Sequence, residues 1–447
     1  VPRLELSNLS WDELLFNRSI KASKAVLYSP VMNYKRLRPG KTNQKVALFR
    51  DLSNIDAMME LQQLQVINGK LNMELDQRTK INLENTNMSV SSNELLGSKN
   101  IKSLQRSFNQ LQFLKGVITI NELKAELKNV HFTGKQDQIE ADEVTVYDPS
   151  KTLSAVARNV LMNEIYYNDS TKSLSVDGFE WQQATVQLGS FPKQTKPSKS
   201  SVVLKNIAGN NTTLLIQTPE QTINTFVRSV TMDELRKPVN AKTTISGLRA
   251  TGNNFNIVQR SLWIETEAFD ITDKDSSLFT NACIEQRGTG SSFVAAMPLV
   301  KFIPDIQEVM KGTYRFDNIT IDKPVIAFTG KTDSTTKGAV KKLEDFSVGS
   351  LILKNPAVYF EKDNPVANRH IQWYGSMNNS AQNKWQFSNI ISSKQARSIN
   401  IDKIKVRGTD FFYSVTGGKH FSIADNTISA EAENIIVKAD TDDTWNW

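Results

Sequence analysis

The segment Leu64-Gln-Val-Ile-Asn-Gly-Lys-Leu-Asn-Met73 sets the reading of the chain, because its apolar residues Leu64, Val66, Leu71 and Met73 stand at offsets 0, 2, 7 and 9. The first pair shares one face of a strand, and so does the second pair. The odd step between them reverses parity, so something inside the segment must reset the register. Gly69 sits at offset 5, where a glycine supplies a bulge or a tight turn. The segment therefore reads as strand, kink, strand.

The same spacing recurs along the chain. It is found at Ala25, Leu27, Met32 and Tyr34; at Leu111, Phe113, Ile118 and Ile120; and at Leu248, Ala250, Phe255 and Ile257. Further copies are Ile319, Ile321, Ile326 and Phe328; Leu351, Leu353, Val358 and Phe360; and Ile404, Val406, Phe411 and Tyr413. An eighth, near Val160, Ile165 and Tyr167, matches less fully. The middle of the unit is constrained as well: Pro30, Gly116, Pro324 and Pro356 stand at offset 5, and Gly252 and Gly408 at offset 4. Proline lacks the amide donor of a central ladder, so it marks the same break that glycine does.

A fixed internal spacing of this kind is the signature of a repeat architecture. Two copies extend further: Lys80-Ile-Asn-Leu-Glu-Asn85 parallels Lys124-Ala-Glu-Leu-Lys-Asn129. Alternating stretches such as Ile139-Glu-Ala-Asp-Glu-Val-Thr-Val146 have the pattern of half-buried strands. The expected fold is mainly β: one continuous repeat array over 1–447 with sub-blocks 1–50, 51–217, 218–340 and 341–447. Its sheet is expected to be elongated, repetitive and antiparallel, curled into a groove. Short helices are expected at Asp51–Leu61, Lys99–Asn109, Pro219–Leu235 and Pro304–Met310. In Pro219–Leu235, Ile223, Phe226, Val227 and Val230 share a helical face that would pack on the sheet. Turn residues cluster at Phe191–Ser201, Gly330–Lys342 and Lys362–Trp385, the candidate breaks.

Composition narrows the function classes. With 447 residues, 39% of them hydrophobic, and 21 Phe, 9 Tyr and 7 Trp, the chain folds and buries a core. Gly at 20 and Pro at 13 exclude collagen-like sequence, and no stretch approaches the roughly 20 apolar residues of a membrane helix. Residue 1 is Val, so a leader or membrane anchor is expected to lie outside this chain. The single Cys283 rules out an internal disulfide framework. The net charge of +7 is mild for this length and spread in short clusters, which argues against a nucleic-acid partner.

No constellation for catalysis stands out. His131, His370 and His420 are isolated from one another and lack metal-ligand spacing. Gly288-Thr-Gly290 and Gly417-Gly418-Lys419 read as turns, since neither fits a phosphate-binding fingerprint. Asp270, Asp273 and Asp275 lack the glycine and the distant glutamate of a calcium loop. The expectation is a protein that is not an enzyme and takes no cofactor or metal.

What remains is architectural. A long sheet with an apolar face needs a cover: a second sheet, helices, or an apolar ligand. The expected helices are too few and too short. A sheet curled along its length encloses a trough that takes acyl chains, whereas two facing sheets make a dry sandwich or solenoid; the spacing leaves both open.

The stretches Ile20-Lys-Ala-Ser-Lys-Ala-Val-Leu-Tyr-Ser-Pro-Val-Met-Asn-Tyr34 and Val348-Gly-Ser-Leu-Ile-Leu-Lys-Asn-Pro-Ala-Val-Tyr-Phe360 resemble the repeating strands of the AsmA-like family of Gram-negative bacteria. So does Ser173-Leu-Ser-Val-Asp-Gly-Phe-Glu-Trp-Gln-Gln-Ala-Thr-Val186. The resemblance implies a twisted β-groove protein of the periplasm, anchored to the inner membrane, that serves phospholipid transport between membranes or outer-membrane homeostasis. The candidate groove residues are the repeated positions Leu71, Met73, Ile118, Ile120, Ile326, Phe328, Val358, Phe360, Phe411 and Tyr413. The expected partner is a phospholipid or another acyl-chain lipid, with an envelope protein as a further partner. The alternative is a scaffold or adhesin-like solenoid that offers strand edges to a protein.

Overall fold

A computed structural model describes residues 3–17, 19–35, 59–74, 79–92, 94, 106–120, 123–148, 152–168, 173–189, 201–219, 221–239, 243–259, 262–287, 291–310, 314–331, 346–364, 369–375, 384–393, 398–408, 411–415, 421–423, 428–439 and 445–446. The chain is mainly β: among the described residues it forms thirty strands of one large sheet and two short helices. Two compact units can be distinguished, Val1–Thr213 with Thr231–Thr244 and Leu214–Val230 with Ile245–Trp447.

In the first unit β1 (Arg3–Ser7) pairs antiparallel with β2 (Ile20–Tyr28), and α1 (Trp11–Phe16) lies between them in sequence. Both β2 and β3 (Val31–Lys35) run parallel to β4 (Met59–Glu74). From β4 an antiparallel meander passes through β5 (Thr79–Ser91), β6 (Phe108–Ile120), β7 (Leu123–Thr133), β8 (Gln138–Tyr147) and β9 (Leu153–Met162). β10 (Tyr166–Asn168) pairs with β11 (Ser173–Trp181); β11 and β12 (Gln183–Leu188) both return to β9. β11 also runs parallel to β13 (Ser201–Gln217), and β13 and β14 (Thr222–Lys237) contribute residues to both units.

In the second unit the short β15 (Thr244–Ser246) precedes an antiparallel meander of β16 (Arg249–Gln259), β17 (Leu262–Thr272), β18 (Ser277–Arg287) and β19 (Ser291–Pro304). After α2 (Ile306–Met310), the C-terminal half of β19 pairs with β20 (Tyr314–Asp322) and its N-terminal half with β21 (Val325–Lys331). β22 (Phe346–Lys354) and β23 (Ala357–Asn364) run parallel to β20 and β21. One ladder continues from β23 through β24 (Arg369–Gly375) to β27 (Phe411–Val415) and β28 (Phe421–Ile423). The other continues from β22 through β25 (Lys384–Ser393) and β26 (Ser398–Gly408) to β29 (Ile428–Ala439) and β30 (Trp445–Asn446).

The parallel pairings explain why the repeat is so regular. Ala25, Leu27, Met32 and Tyr34 stand opposite Leu64, Val66, Leu71 and Met73, offset for offset. Ile319, Ile321, Ile326 and Phe328 stand opposite Leu351, Leu353, Val358 and Phe360 in the same way. Each apolar position thus stacks on its own counterpart in the next copy.

The parity reset is a single residue in the left-handed region. It falls at offset 4 in five copies: Ser29 (φ 49°), Asn68 (57°), Glu164 (45°), Lys323 (51°) and Asn355 (49°). In four of these the Pro or Gly at offset 5 follows it, with Pro30, Pro324 and Pro356 fully buried. The ladder crosses the bend intact: Ser29 N donates to Ile67 O and Lys70 N to Pro30 O, while Lys323 N donates to Lys354 O and Ala357 N to Pro324 O, all at 2.7–2.8 Å. The missing proline donor therefore costs no ladder bond.

The bends align from strand to strand. Of the sixteen non-glycine residues with positive φ among the described residues, twelve are asparagine, the side chain that tolerates this region best. Several are tied to an acid on the neighbouring strand, where Asn129 Nδ2 donates to Asp142 at 2.6 Å, Asn281 to Glu267 at 2.6 Å, Asn389 to Asp402 at 2.8 Å and Asn206 to Asp177 at 2.5 Å. In the first unit Asn68, Asn85, Asn129 and Asn159 make one crease running across the strands.

Two sequence expectations need correction. Pro219–Leu235 is not a helix: Thr222–Lys237 is strand β14, and it buries Thr225 rather than the helical face of Ile223, Phe226, Val227 and Val230. Its run of Thr, Ile and Val is stiff at χ1 and suits a pleated surface, which outweighs the accidental 3.6-residue spacing. Likewise Met59–Leu61 and Phe108–Asn109, expected at helix ends, are the first residues of β4 and β6; residues 106–107 are helical as expected, and residues 51–58 and 99–105 lie outside the described residues. The helix expected at Pro304–Met310 forms as α2. Strand β24 runs through the expected break Lys362–Trp385.

Replacing Asn129 by alanine puts a Cβ-bearing residue without a compensating hydrogen bond into the left-handed region. The expected loss is about 1–2 kcal/mol, measured by urea denaturation, and Asn129→Gly should lose less because glycine adopts φ of 48° freely.

Candidate functional site

The first unit has one apolar and one polar face, set by register. On one side of the crease a row runs Leu27, Val66, Met88, Leu111, Phe132, Ile139, Met162, Phe179 and Ile207 through successive strands. On the other side run Met32, Leu71, Leu83, Gly116, Leu127, Val144, Ala157 and Ala184. Beyond these comes Tyr34, Met73, Ile81, Ile118, Ala125, Val146, Ala155 and Val186. Between the first two rows, at the crease, lie Gly69, Thr86, Phe113, Val130, Ala141 and Val160.

Toward the Ile118 side burial falls away from this central row, whereas on the other side Ala25 and Val90, one row beyond Leu27 and Val66, are only 2% exposed. Leu83, Phe113, Val130, Ala141 and Val160 form a buried cluster, and Leu71, Leu127, Ile139 and Val144 pack against it half-buried. At the outer end Ile120 is 49% exposed and Leu123 39%. Bending the sheet toward its apolar face thus buries a floor and leaves a half-exposed wall on the Ile118 side, about two rows or roughly 7 Å of strand deep. The bend is tight enough that a Cβ on Gly69 would lie 2.7 Å from Cγ1 of the buried Val66, and one on Gly116 2.6 Å from the Phe113 ring.

The second unit has the same construction with more aromatic lining. Ala282, Met297, Val300 and Phe302 form its buried cluster, flanked by Phe279, Ile284, Phe316 and Ile319. Rings run in sequence through it: Phe255 to Phe279 at 5.8 Å between centroids, Phe279 to Phe302 at 4.7 Å and Phe302 to Phe316 at 5.9 Å. On the other ladder the backbone register aligns Phe293, Phe328, Phe360, Trp373, Tyr413 and Phe421 across six strands. The Phe293 and Phe328 rings are 5.0 Å apart, and Phe328 is 39% exposed.

The candidate groove residues fall on these rows. Leu71 packs half-buried on the floor cluster, Met73 and Ile118 share the outer row through Ile81, and Ile120 stands at the rim opposite Leu123. In the second unit Val358 is buried (5% exposed), Ile326 pairs with it half-buried, and Phe328 lies outward of both. Phe360 and Tyr413 share a row through Trp373, and Phe411 aligns with Val358 through Gly375. Of the central row, sequence reading placed Gly69, Phe113 and Val160 in the repeat and Ala141 in an alternating strand but took none of them as a groove residue, and it passed over Thr86 and Val130. It also missed Phe179 and Trp181, which pack on the floor from a strand outside the repeat.

The opposite face of the first unit is polar and charge-paired. Lys128 and Arg158 both reach Glu143, at 2.6 and 3.2 Å. Lys35 and Lys80 reach Glu74, at 3.2 and 3.4 Å. The hydrogen bond from Lys128 first, then that from Arg158, holds the Glu143 carboxyl below its ordinary value of 4.5. This face also carries an open hollow of about 320 Å³ lined by Lys70, Asn72, Asn82, Glu84, Lys115 and Val117. His131 hydrogen-bonds Gln112 at 2.7 Å, and burial pushes the Cys283 thiol up, helped by Glu265 and Glu285, so it stays protonated near neutrality.

Among the described residues no group of three or more His, Cys, Asp and Glu is placed to hold a metal ion, and no helix is long and apolar enough to cross a membrane. The expected turns at Gly288–Gly290 and Gly417–Lys419, and the side chains of His370 and His420, lie outside the described residues. Comparison with family models, with curated proteins and with solved structures finds no match.

Two substitutions test this construction. The hydroxyl of Thr86, 1% exposed on the floor row, has no hydrogen-bond partner. Thr86→Val keeps the shape and removes the desolvated hydroxyl, and the unfolding midpoint is expected to hold or rise, by up to about 1 kcal/mol. Because the Glu143 pKa is depressed on folding, its contribution is present above the unfolded value and disappears as pH falls through the lowered one. Urea midpoints between about pH 6 and pH 3 should therefore fall less steeply in Glu143→Gln than in the wild type.

Proposed function

We propose that this chain is a non-enzymatic β-groove protein that holds the acyl chains of phospholipids along its creased apolar face. In this reading it works in the periplasm of a Gram-negative bacterium, as an AsmA-like envelope protein that moves lipid between membranes or maintains the outer membrane.

The observation that carries the reading is the grading of the apolar rows of the first unit. Their floor is buried, with Phe179 and Trp181 packed on it, while on the Ile118 side a wall of Leu, Ile, Val and Met stays half-exposed. Backbone polar groups on this face are taken up by the strand ladder, so the trough offers hydrocarbon and little else. An acyl chain entering it gains about 0.8 kcal/mol per buried CH₂, and its headgroup stays in water at the rim. Rows that cross the strands give a path along which a chain can slide without meeting a polar step.

The test is to purify the chain without harsh detergent and quantify bound lipid by native and extraction mass spectrometry. At least one phospholipid per chain is expected, with roughly tenfold less in Ile118→Asp and Phe328→Asp variants that remain folded, because a carboxylate on the wall must stay hydrated. A folded, lipid-free wild type would overturn the reading and put the protein-binding scaffold in its place.

A further inference from the structure

The floor of the first unit changes character at one point. Through β6 to β9 it is made by Phe113, Val130, Ala141 and Val160, aliphatic after the first. The next strand, β11, brings Trp181 to the same cluster, against which it packs half-buried.

The indole is seated with care. Trp181 stands beside Gly209 of β13 in the parallel register, and a Cβ on Gly209 would lie only 2.0 Å from the indole Cζ2 and 2.1 Å from Cε2. Only glycine lets the ring lie there. The indole N–H donates to Thr212 Oγ1 at 2.8 Å, and that buried hydroxyl in turn faces Asn210 O at 3.3 Å. The Phe179 ring, at 5.4 Å, holds the other side. Contact, hydrogen bond and missing Cβ together fix one orientation of a large ring on the trough floor.

We propose that Trp181 is the selectivity constriction of the first unit's trough. Resting on the lipid-groove reading, the proposal narrows its substrate class: the trough passes straight, unbranched acyl chains and excludes tails with methyl branches or fused rings. Straight chains can lie beside the indole, whereas a branched tail needs the volume the indole fills.

The experiment measures extraction of lipid from vesicles of two phosphatidylglycerols with the same headgroup, one dipalmitoyl and one diphytanoyl. The wild type is expected to take the straight-chain lipid about tenfold better, in line with what a snug apolar site achieves against extra methyl groups. Trp181→Leu should bring the two within about twofold by admitting the branched tail. Thr212→Val leaves the ring in place without its anchor, should fall between, and decides the matter if Trp181→Leu does not fold. A wild type that takes both lipids equally, or a folded Trp181→Leu or Thr212→Val that keeps the full preference, overturns the constriction and leaves the groove standing. A wild type that extracts neither lipid overturns both.

Discussion

Everything in this structure depends on a left-handed residue placed between two short strands. A flat sheet with one apolar face would need a second layer to cover it. Here strands such as β4, β5, β7 and β9 each turn by one residue through positive φ, the parity of the side chains reverses, and the apolar face bends. The bend lines up from strand to strand, and several of the asparagines are tied to acids across the ladder, as Asn129 is to Asp142 and Asn281 to Glu267. The cost of the unusual backbone is small for asparagine and is offset by that bond.

From the crease follow both the core and the candidate site. The residues nearest the bend, such as Val66, Phe113 and Val160, are buried by their own neighbours. On the Ile118 side those one or two rows out remain half-exposed. A core of this kind is a line rather than a globule, and its stability is spread along the repeats. The same geometry leaves apolar walls facing outward, and a ligand of hydrocarbon is what such walls would take up. The polar face, with Glu143 held between Lys128 and Arg158, presents paired charges to water.

The two units share this plan and differ in lining. Outer rows of the first are aliphatic from Met73 to Ala155, whereas in the second the rings of Phe255, Phe279, Phe302 and Phe316 follow one another. Where a large ring does meet the floor of the first unit, at Trp181, a glycine has been placed to receive it.

The sequence by itself determined the strands, the repeat and the need for a reset, because alternation and an odd step are properties of spacing alone. It also placed the candidate wall residues, from Leu71 to Tyr413, at equivalent positions. Only the tertiary structure decided that the left-handed residue precedes the marker Pro or Gly, that successive copies stack in parallel register, and that Thr222–Lys237 is a strand. Those outcomes rest on partners distant in the chain: a ladder bond from Lys70 to Pro30, an acid opposite an asparagine, a glycine beside a tryptophan. Local spacing carries no record of which strand will lie alongside, so the joining of Phe113, Val130, Ala141 and Val160 into one floor, and the seat of Trp181 against it, became visible only once the strands were paired.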